Sequence, residues 1–180
     1  GSMSLADATA TIYGEPDDMF GSTLAWVGDV DGDGREDLGA TALASNGANP
    51  FVRVFVYVER NDLFAADAWM SAAPLLTGRD WETVDRMGDF DRDGFGEVAI
   101  GAPDGAGRVG VVGVVPGGHS ATIVVDEFQD VLEFDGRRAG FGTALAGGEY
   151  IDGDGILDLL VGTRSSTDGS AILVPGAWLR

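Results

Sequence analysis

The chain has 180 residues, 44% of them hydrophobic, and its 30 acidic and 11 basic residues give a formal net charge of −19. This charge argues against a nucleic-acid partner, because contacts to phosphates need clustered lysine and arginine. The absence of cysteine excludes disulfides and thiolate metal sites, and the apolar runs are far shorter than the roughly 18 residues of a membrane-spanning helix, which predicts no membrane insertion.

The first of three repeats is predicted at residues 4–61, after a Gly-Ser-Met start at 1–3 that resembles the remnant of a cleaved expression tag. A signal peptide is therefore not expected to be visible in this sequence. The repeat begins with an extended segment, Ser4 to Thr11, and continues with a Phe-Gly pair at 20–21 and the acidic stretch GDVDGDGREDLGA at 28–40. Residues 52–58, rich in valine and aromatic side chains, predict a further strand.

The second repeat is predicted at residues 62–118. It carries the acidic stretch GDFDRDGFGEVAIGAP from Gly88 and a valine-rich strand at 108–115, but Asp80-Trp81 stands where the Phe-Gly pair would be. Residues 61–73 contain helix-forming residues, while the corresponding segments 4–11 and 120–128 look extended. A short helix and an extended segment therefore both stay open for 61–73.

The third repeat is predicted at residues 119–180. It contains a Phe-Gly pair at 141–142, the acidic stretch EYIDGDGILDLLVGT from Glu149 and a strand at 171–175. The Asp-Gly pairs at 33–34, 93–94 and 154–155 place the repeats 60 and 61 residues apart. Four short strands in each repeat of this length are typical of a propeller blade, so the sequence predicts an all-β fold of three four-stranded blades.

The acidic stretches place oxygen donors at regular positions, which we number from Asp29 in the first repeat. Positions 1, 3, 5 and 9 carry carboxylates there, and position 6 is a glycine that can adopt the positive φ of a tight turn. Calcium binds about six to eight oxygens, and alternate residues of such a loop, with the backbone carbonyl of position 7, provide them. The sequence predicts up to three Ca²⁺ sites, with the ligands Asp29, Asp31, Asp33, Arg35 (carbonyl) and Asp37; Asp89, Asp91, Asp93, Phe95 (carbonyl) and Glu97; and Asp152, Asp154, Ile156 (carbonyl) and Asp158, with Glu149 as a further candidate.

An EF-hand, an ordinary surface turn and a magnesium site fit these loops less well. An EF-hand needs a glutamate at position 12 and flanking helices, whereas position 12 is Ala40, Ile100 or Val161 and the flanks look like strands. The loop is therefore expected to close on position 9, as in a connection between two strands. Surface turns need one or two Asp or Gly residues, not four carboxylates in register. Magnesium requires a tighter octahedron than such a loop provides. The third loop has Tyr150 at position 1, so we expect weaker binding there.

The Phe-Gly pairs, the acidic loops and the Gly-Ala-Pro sequence at 101–103 together resemble the FG-GAP repeats of integrin α-subunit β-propellers and their bacterial relatives. The resemblance covers nearly the whole chain and implies four-stranded blades with calcium in the hairpin loop between the first two strands. It also implies adhesion or ligand recognition outside cells, among relatives that include lectins and modules attached to enzymes. It implies no catalytic residues.

These observations predict a calcium-binding module, not an enzyme, with a protein or glycan ligand and an extracellular, periplasmic or cell-surface location. A carbohydrate-binding lectin and a non-catalytic part of a larger secreted enzyme are the alternatives. His119 stands alone in a glycine-rich loop, and Ser165 and Ser166 have no histidine near them in sequence. Trp26 and Trp178 are expected to pack between blades, with stacking on sugar rings as the alternative.

Three blades are too few to close a ring, because closed propellers have about four to eight blades. The repeats are also out of phase with the blades: Ser4 to Tyr13 resembles the strand that precedes each Phe-Gly pair, and the last blade lacks its outermost strand. Exposed sheet edges favour pairing. Two arrangements stay open: the chain is part of a longer propeller, or two copies join head to tail as a homodimer of six blades.

Overall fold

The computed structural model describes residues 13, 19–44, 51–57, 59–60, 63–64, 82–103, 110–118, 130–133, 140–164 and 168–179. These residues form strands and turns, with one 3-10 turn at Gly176–Leu179, so the prediction of an all-β fold is confirmed. Across these ranges, no helix has the length and apolar character needed to cross a membrane. In chain order the strands are β1 (Leu24–Gly28), β2 (Asp37–Ala44), β3 (Phe51–Tyr57), β4 (Glu59–Arg60), β5 (Leu63–Phe64), β6 (Thr83–Gly88), β7 (Glu97–Ala102), β8 (Val111–Val115), β9 (Asp130–Glu133), β10 (Ala144–Glu149), β11 (Asp158–Thr163) and β12 (Ser170–Val174).

Within the described ranges the strands form three larger antiparallel sheets and one short pair. Blade 1 has the order β1-β2-β3, blade 2 has β6-β7-β8-β9, and blade 3 has β10-β11-β12, while β4 pairs with β5. The blades form part of an open propeller, as the sequence predicted. Strand β9 pairs with β8 although it lies in the third sequence repeat, so the sheets are offset from the sequence repeats by one strand.

The strands predicted at 52–58, 108–115 and 171–175 are confirmed as β3, β8 and β12. Of residues 61–73, whose conformation the sequence left open, the structure describes Leu63–Phe64 as a strand. The other residues of that segment, and the segments 4–11 and 120–128, lie outside the described residues.

A β-bulge ends the first strand of every blade. The pairing register shifts at the same point in all three hairpins, just before the acidic loop. A glycine with positive φ lies in each bulge, with values of 92° at Gly28, 72° at Gly88 and 83° at Gly148. Because residues with a Cβ disfavour this conformation, glycine allows the strand to bend into the loop.

The blades contact one another through their first strands. Strand β6 lies between β1 and β10, as expected for innermost strands around a propeller axis. Thr23 Oγ1 donates a hydrogen bond to the carbonyl of Glu82 at 2.8 Å, and Thr83 Oγ1 donates to the carbonyl of Gly142 at 2.7 Å. These two hydrogen bonds, which we call threonine clasps, join blade 1 to blade 2 and blade 2 to blade 3. The core around blades 2 and 3 contains Met87, Phe90, Ala99, Val112, Val114, Phe141, Leu159, Val161, Val174 and Leu179.

Candidate metal centres

Each acidic loop connects the first and second strands of a blade, so the three loops lie at equivalent places in the fold. In each loop three carboxylates offer oxygen atoms that lie within 4.8 Å of one another. Of the predicted carboxylate ligands, Asp37 in loop 1 and Asp93 in loop 2 are not among the three whose oxygens lie this close together. Glu149 lies outside the group of loop 3 and pairs with Arg86 at 3.4 Å. The three groups are Asp29, Asp31 and Asp33; Asp89, Asp91 and Glu97; and Asp152, Asp154 and Asp158.

Positions 3 and 5 fold each loop locally. In loop 1, Asp31 Oδ1 accepts the N–H of Asp33 at 3.1 Å, and Asp33 Oδ1 accepts the N–H of Arg35 at 2.9 Å. The same two hydrogen bonds recur in loops 2 and 3. Each aspartate thus turns the chain by binding the N–H group two residues ahead. A carboxylate has about four lone-pair sites, so further sites stay available for a cation.

Position 1 differs between the loops. Asp29 accepts hydrogen bonds from the N–H groups of Gly32, Asp33 and Gly34 at 2.8 to 2.9 Å, which places its carboxylate at the centre of the turn. Asp89 accepts one from Gly94 at 3.2 Å. Tyr150, at position 1 of loop 3, has no carboxylate to do the same, and it is exposed. Weaker binding at the third loop, which was expected from Tyr150, therefore stays a prediction.

Position 9 is a buried carboxylate in all three loops. Asp37, Glu97 and Asp158 begin the second strand of their blades and have no exposed surface. One oxygen of each accepts the N–H group of position 2, at 2.8 Å from Val30, 3.0 Å from Phe90 and 2.7 Å from Ile151. The loop therefore closes on position 9, as the spacing predicted.

The hydrogen bonding of the second oxygen of the position 9 carboxylate differs between loop 1 and the other two loops. Asp158 Oδ1 accepts the N–H of Gly176 at 3.0 Å, and Glu97 Oε1 accepts the N–H of Gly117 at 3.5 Å. Asp37 Oδ1 is buried and has no hydrogen-bond partner among the described residues. Loop 1 therefore contains a buried carboxylate oxygen that the described part of the chain leaves unpaired.

The sequence reasoning missed Gly117 and Gly176 as partners of the site. Both follow the third strand of their blade in a Pro-Gly pair, at 116–117 and 175–176, and this repetition was the available signal. The strand register aligns Tyr57 with Val115 and Val174. Two residues further on, blade 1 therefore has Glu59 in place of these glycines.

Burial raises the pKa of Asp37 to about 6 and that of Glu97 to about 7, and the charges of neighbouring loop aspartates act in the same direction. Burial also acts on Asp158, but the N–H groups of Gly176, Asp152 and Ile151 outweigh it and hold the pKa of that carboxyl below its ordinary value. In loops 1 and 2 the backbone hydrogen bonds therefore offset only part of the cost of burying the ionised position 9 carboxylate, and a nearby cation would offset more of it.

The donor set of these loops fits a hard divalent cation. Every side chain in the three groups is a carboxylate, and oxygen ligands of this kind suit calcium, whereas softer metals prefer imidazole or thiolate. The unpaired oxygen of Asp37 is a second and independent sign, because this buried carboxylate oxygen has no hydrogen-bond donor within the described part of the chain.

An open groove of about 620 Å³ runs along the first strands of the blades. Trp26, Asp85 and Arg86 line it, and Arg86 reaches Glu36 at 3.9 Å and Glu149 at 3.4 Å. Burial raises the pKa of Asp85, although hydrogen bonds and the charge of Arg86 oppose the shift. An exposed aromatic ring beside polar and charged groups makes the groove a second candidate site.

The other residues singled out from the sequence are one histidine, two serines and two tryptophans. His119, Ser165 and Ser166 lie outside the described residues. Trp26 and Trp178 are 54% and 76% exposed, so the prediction that they pack between blades of this chain is wrong. The sheet face that carries Trp26 is left open by the residues that the structure describes.

Comparison with known proteins agrees with the resemblance that the repeats indicated, although no protein-family model matches. The chain is 30% identical over 162 positions to integrin alpha-4 of Xenopus laevis, covering 86% of the chain and 15% of that protein. It is 35% identical over 162 positions to integrin alpha-7 of Mus musculus, covering 82% of the chain and 12% of that protein. It is 27% identical over 190 positions to integrin alpha pat-2 of Caenorhabditis briggsae, covering 95% of the chain and 15% of that protein. The chain thus spans only 12 to 15% of the length of these relatives.

Proposed function

Since this chain is an integrin α-like sequence built from FG-GAP repeats, we propose that it is a calcium-stabilised β-propeller segment that presents an adhesion surface to a protein ligand outside the cell. The unpaired buried oxygen of Asp37, a carboxyl whose pKa the charges of Asp31, Asp33 and Asp29 help to raise, carries the calcium part of the proposal. A buried carboxylate oxygen without a partner lowers stability unless a donor or a cation meets it.

The residues that would hold calcium are the carboxylates of the three loops, with the position 7 carbonyls of Arg35, Phe95 and Ile156. Bound calcium would supply positive charge and coordination, with no chemical conversion. The carboxylates of positions 3 and 5 already hold the turn through the N–H groups ahead of them. A cation would add a link between the turn and the second strand, so metal binding and folding would be coupled.

The proposed location follows from the chemistry of such sites. Open loops of carboxylates bind calcium at the higher concentrations found outside the cytosol, at about 10⁻⁴ to 10⁻³ M for extracellular modules. The similarity to integrin α subunits supports an adhesion-related role and supports a binding module over an enzyme. An extracellular, periplasmic or cell-surface position fits both observations.

Calcium binding is tested by removing the metal with a chelator and titrating it back, with calorimetry and thermal melting as readouts. We expect binding of up to three ions and a higher melting temperature with calcium, because a ligand at 100 times its dissociation constant stabilises by about 2.7 kcal/mol. Asp31→Asn should reduce the calcium-dependent rise, whereas Asp168→Asn, an exposed acid outside the loops, should not. Equal melting temperatures in chelator and in calcium would contradict the proposal.

The adhesion part is tested separately, by binding of the calcium-loaded protein to a panel of immobilised extracellular proteins. We expect binding that a chelator abolishes, because the loops order the blade hairpins. Binding of calcium without binding to any member of the panel would leave the structural role of the ion intact and count against the adhesion role. The two parts of the proposal therefore fail independently.

A glycan ligand is the second candidate, and the groove with exposed Trp26 favours it. Sugar rings stack on indole rings, and Asp85 and Arg86 line the same groove. Screening on a glycan array, followed by titration of Trp26→Ala, tests this candidate. Trp178→Ala is the control, because Trp178 is also exposed but does not line the groove. No binding on the array, or equal loss in both variants, would argue against it.

A further inference from the structure

The acidic loops of blades 1 and 2 contact each other directly through their backbones. The carbonyl of Asp29, at position 1 of loop 1, accepts the N–H of Gly96 at 2.6 Å. The carbonyl of Val30, at position 2, accepts the N–H of Gly118 at 2.8 Å. Gly96 is position 8 of loop 2, between the predicted carbonyl ligand and the buried carboxylate of that loop. Two hydrogen bonds therefore fix the start of loop 1 to loop 2 and to the segment that follows β8.

The side chain of Phe95 fills the space between the two loops. A Cβ at Gly32, in loop 1, would lie 2.7 Å from Phe95 Cε1, and a Cβ at Gly118 would lie 3.0 Å from Phe95 Cδ2. The ring thus contacts loop 1 with one edge and the segment after β8 with the other. The N–H of Phe95 binds Asp93 Oδ1 at 2.9 Å, and its carbonyl is the predicted position 7 ligand of loop 2. Phe95 therefore belongs to loop 2 through its backbone and contacts loop 1 through its side chain.

Position 4 of one loop meets the next loop in both blade interfaces. This position has a positive φ in all three loops, with values of 80° at Gly32, 67° at Arg92 and 83° at Gly153. Gly32 has no Cβ and so leaves room for the ring of Phe95. Arg92, although a residue with a Cβ disfavours this φ, donates a hydrogen bond from its guanidinium to the carbonyl of Gly155 in loop 3 at 2.9 Å. Contact between successive loops is therefore a repeated feature of the array.

Only the contact between loops 1 and 2 joins predicted ligands of both loops. Asp29 supplies the acceptor on one side, and Phe95, whose ring is half-buried, supplies the packing on the other. Between loops 2 and 3 the donor is the exposed side chain of Arg92 and the acceptor is Gly155, and neither is a predicted ligand. A change in the geometry of either site is thus transmitted most directly between loops 1 and 2.

We propose that Phe95 is a positioning residue that couples loops 1 and 2, so that calcium bound in either loop raises the affinity of the other for calcium. This coupling rests on the proposed calcium function. An ion in one loop restricts the backbone of that loop, and the contacts through Phe95 and Gly96 pass part of the restriction to the neighbour. The second ion then has less conformational entropy to remove. The coupling is reciprocal, because each site must change the affinity of the other by the same factor.

The charge of the ion acts in the opposite direction, so the test must hold charge constant. A bound Ca²⁺ in loop 1 adds two positive charges and weakens the attraction of loop 2 for its own ion. Combining Asp31→Asn with Asp33→Asn removes two negative charges, which is the same change in net charge, and weakens calcium binding in loop 1. The amide oxygens can still accept the N–H groups that fold the turn. We call this protein the charge-matched variant.

A calcium titration of the metal-free protein, followed by backbone amide NMR signals, tests the coupling. The amides of Gly34 and Gly94, at position 6 of loops 1 and 2, report each site separately. Coupling factors between sites begin at about fivefold, which lowers the midpoint of two similar sites by about twofold. We therefore expect the Gly94 midpoint to be at least about twofold lower, and its titration steeper, in the original protein than in the charge-matched variant.

Variants of Phe95 test whether its ring carries the coupling. Phe95→Ala keeps the backbone carbonyl and removes the ring, so the Gly94 midpoint should no longer depend on whether Asp31 and Asp33 are intact. Phe95→Tyr keeps the ring and should retain the difference. Ile156→Ala is the matched control, because it removes the side chain at the same position of loop 3 and should also retain it. A merely structural role of Phe95 would shift the midpoints without removing the difference.

The outcomes separate this coupling from the calcium proposal itself. Equal Gly94 midpoints in the original protein and in the charge-matched variant would overturn the coupling and leave calcium binding intact. A difference that persists in Phe95→Ala would overturn the role of Phe95. If calcium shifts neither Gly34 nor Gly94, the calcium function fails and the coupling fails with it.

Discussion

At the scale of single residues, the three position 9 carboxylates differ in what meets their second oxygen. Asp158 and Glu97 have a backbone N–H there, and Asp37 Oδ1 has none among the described residues. The presence or absence of this one hydrogen bond determines how strongly the stability of each loop depends on a bound cation. Loop 1 should depend on calcium most, because its buried charge has the fewest partners within the described part of the chain.

Replacing the position 9 carboxylate by an amide should affect stability differently in loop 1 and in loop 3. We expect Asp37→Asn to change the free energy of unfolding in chelator by no more than about 1 kcal/mol, because the amide keeps one oxygen for Val30 and removes a poorly compensated charge. Asp158→Asn should lower it by about 1 to 3 kcal/mol, because an amide N–H would face backbone N–H groups. Urea unfolding in chelator and in calcium measures both. A loss in chelator as large for Asp37→Asn as for Asp158→Asn would contradict this assignment.

The pH dependence of the metal-free protein follows from Asp37 and Glu97, whose pKa values of about 6 and about 7 exceed the ordinary values of 3.8 and 4.5. The folded state then binds protons more tightly than the unfolded state. Their contribution to stability is fully present below the ordinary values and is lost as pH rises through about 6 to 7. In chelator, the melting temperature should therefore fall between pH 5 and pH 8, a range set by these two pKa values.

Calcium should reverse this trend, because the cation competes with protons for the same carboxylates and binds best when they are ionised. Melting temperatures across the same pH range, with saturating calcium, provide the comparison. Asp158 should not affect the comparison, because its pKa is lowered and its carboxyl stays ionised throughout this pH range. A melting temperature that rises with pH in chelator would show that these two groups do not dominate.

At the scale of single elements, the Pro-Gly pair after the third strand holds the acidic loop of its own blade. A Cβ at Gly176 would collide with the carbonyl of Leu157 and with the side chain of Ile156. Gly117 is similarly close to Phe95 and to the carbonyl of Gly96. These glycines allow the backbone to approach the loop closely enough to donate to position 9.

Gly176→Ala should therefore destabilise the protein by about 2 to 4 kcal/mol, since the methyl group meets backbone atoms that cannot move aside cheaply. Gly169→Ala is the control, because only the carbonyl of Thr163 lies near its Cβ, at 3.4 Å. We expect a change within about 0.5 kcal/mol there. Urea unfolding measures both, and equal effects of the two substitutions would mean that the close approach at Gly176 is not needed.

At the scale of the whole molecule, the same contacts recur from blade to blade. The threonine clasps of Thr23 and Thr83 bind carbonyls 59 residues ahead in each case. Blade 3 has Ala144 at the corresponding position and cannot form this clasp with a following blade. Of the three described blades, blades 1 and 2 therefore carry the clasp threonine and blade 3 does not.

The clasps should contribute to stability independently, because they lie in different blade interfaces. We expect Thr23→Val and Thr83→Val each to lower the free energy of unfolding by about 1 kcal/mol, since the facing carbonyl loses a donor, and the double variant to lower it by about the sum. Ser22→Ala, which removes an exposed hydrogen bond to Met19, should change it by less than about 0.5 kcal/mol. A double variant no less stable than either single variant would argue against separate clasps.

The sequence by itself determined the features that depend on short spacing. The 60-residue repeat, the strands around each loop, and the alternation of carboxylates at positions 1, 3, 5 and 9 are local patterns, and local backbone preferences are enough to realise them. Closure of the loop on position 9 was also predicted, and it is a local feature. In each loop the position 9 carboxylate accepts the N–H of position 2, which lies only seven residues before it in the sequence.

The tertiary structure decided what joins distant parts of the chain. The donor to the second position 9 oxygen comes from about 20 residues away along the chain, as Gly117 and Gly176 show. The described residues of blade 1 provide no such donor. This difference is seen only after the strand register has aligned Glu59 with the two glycines. The exposure of Leu160 and Trp26 likewise depends on which blade faces are covered. Alternating apolar residues specify that a sheet face will be buried, but not which surface covers it, because burial depends on contacts between blades that no local pattern encodes.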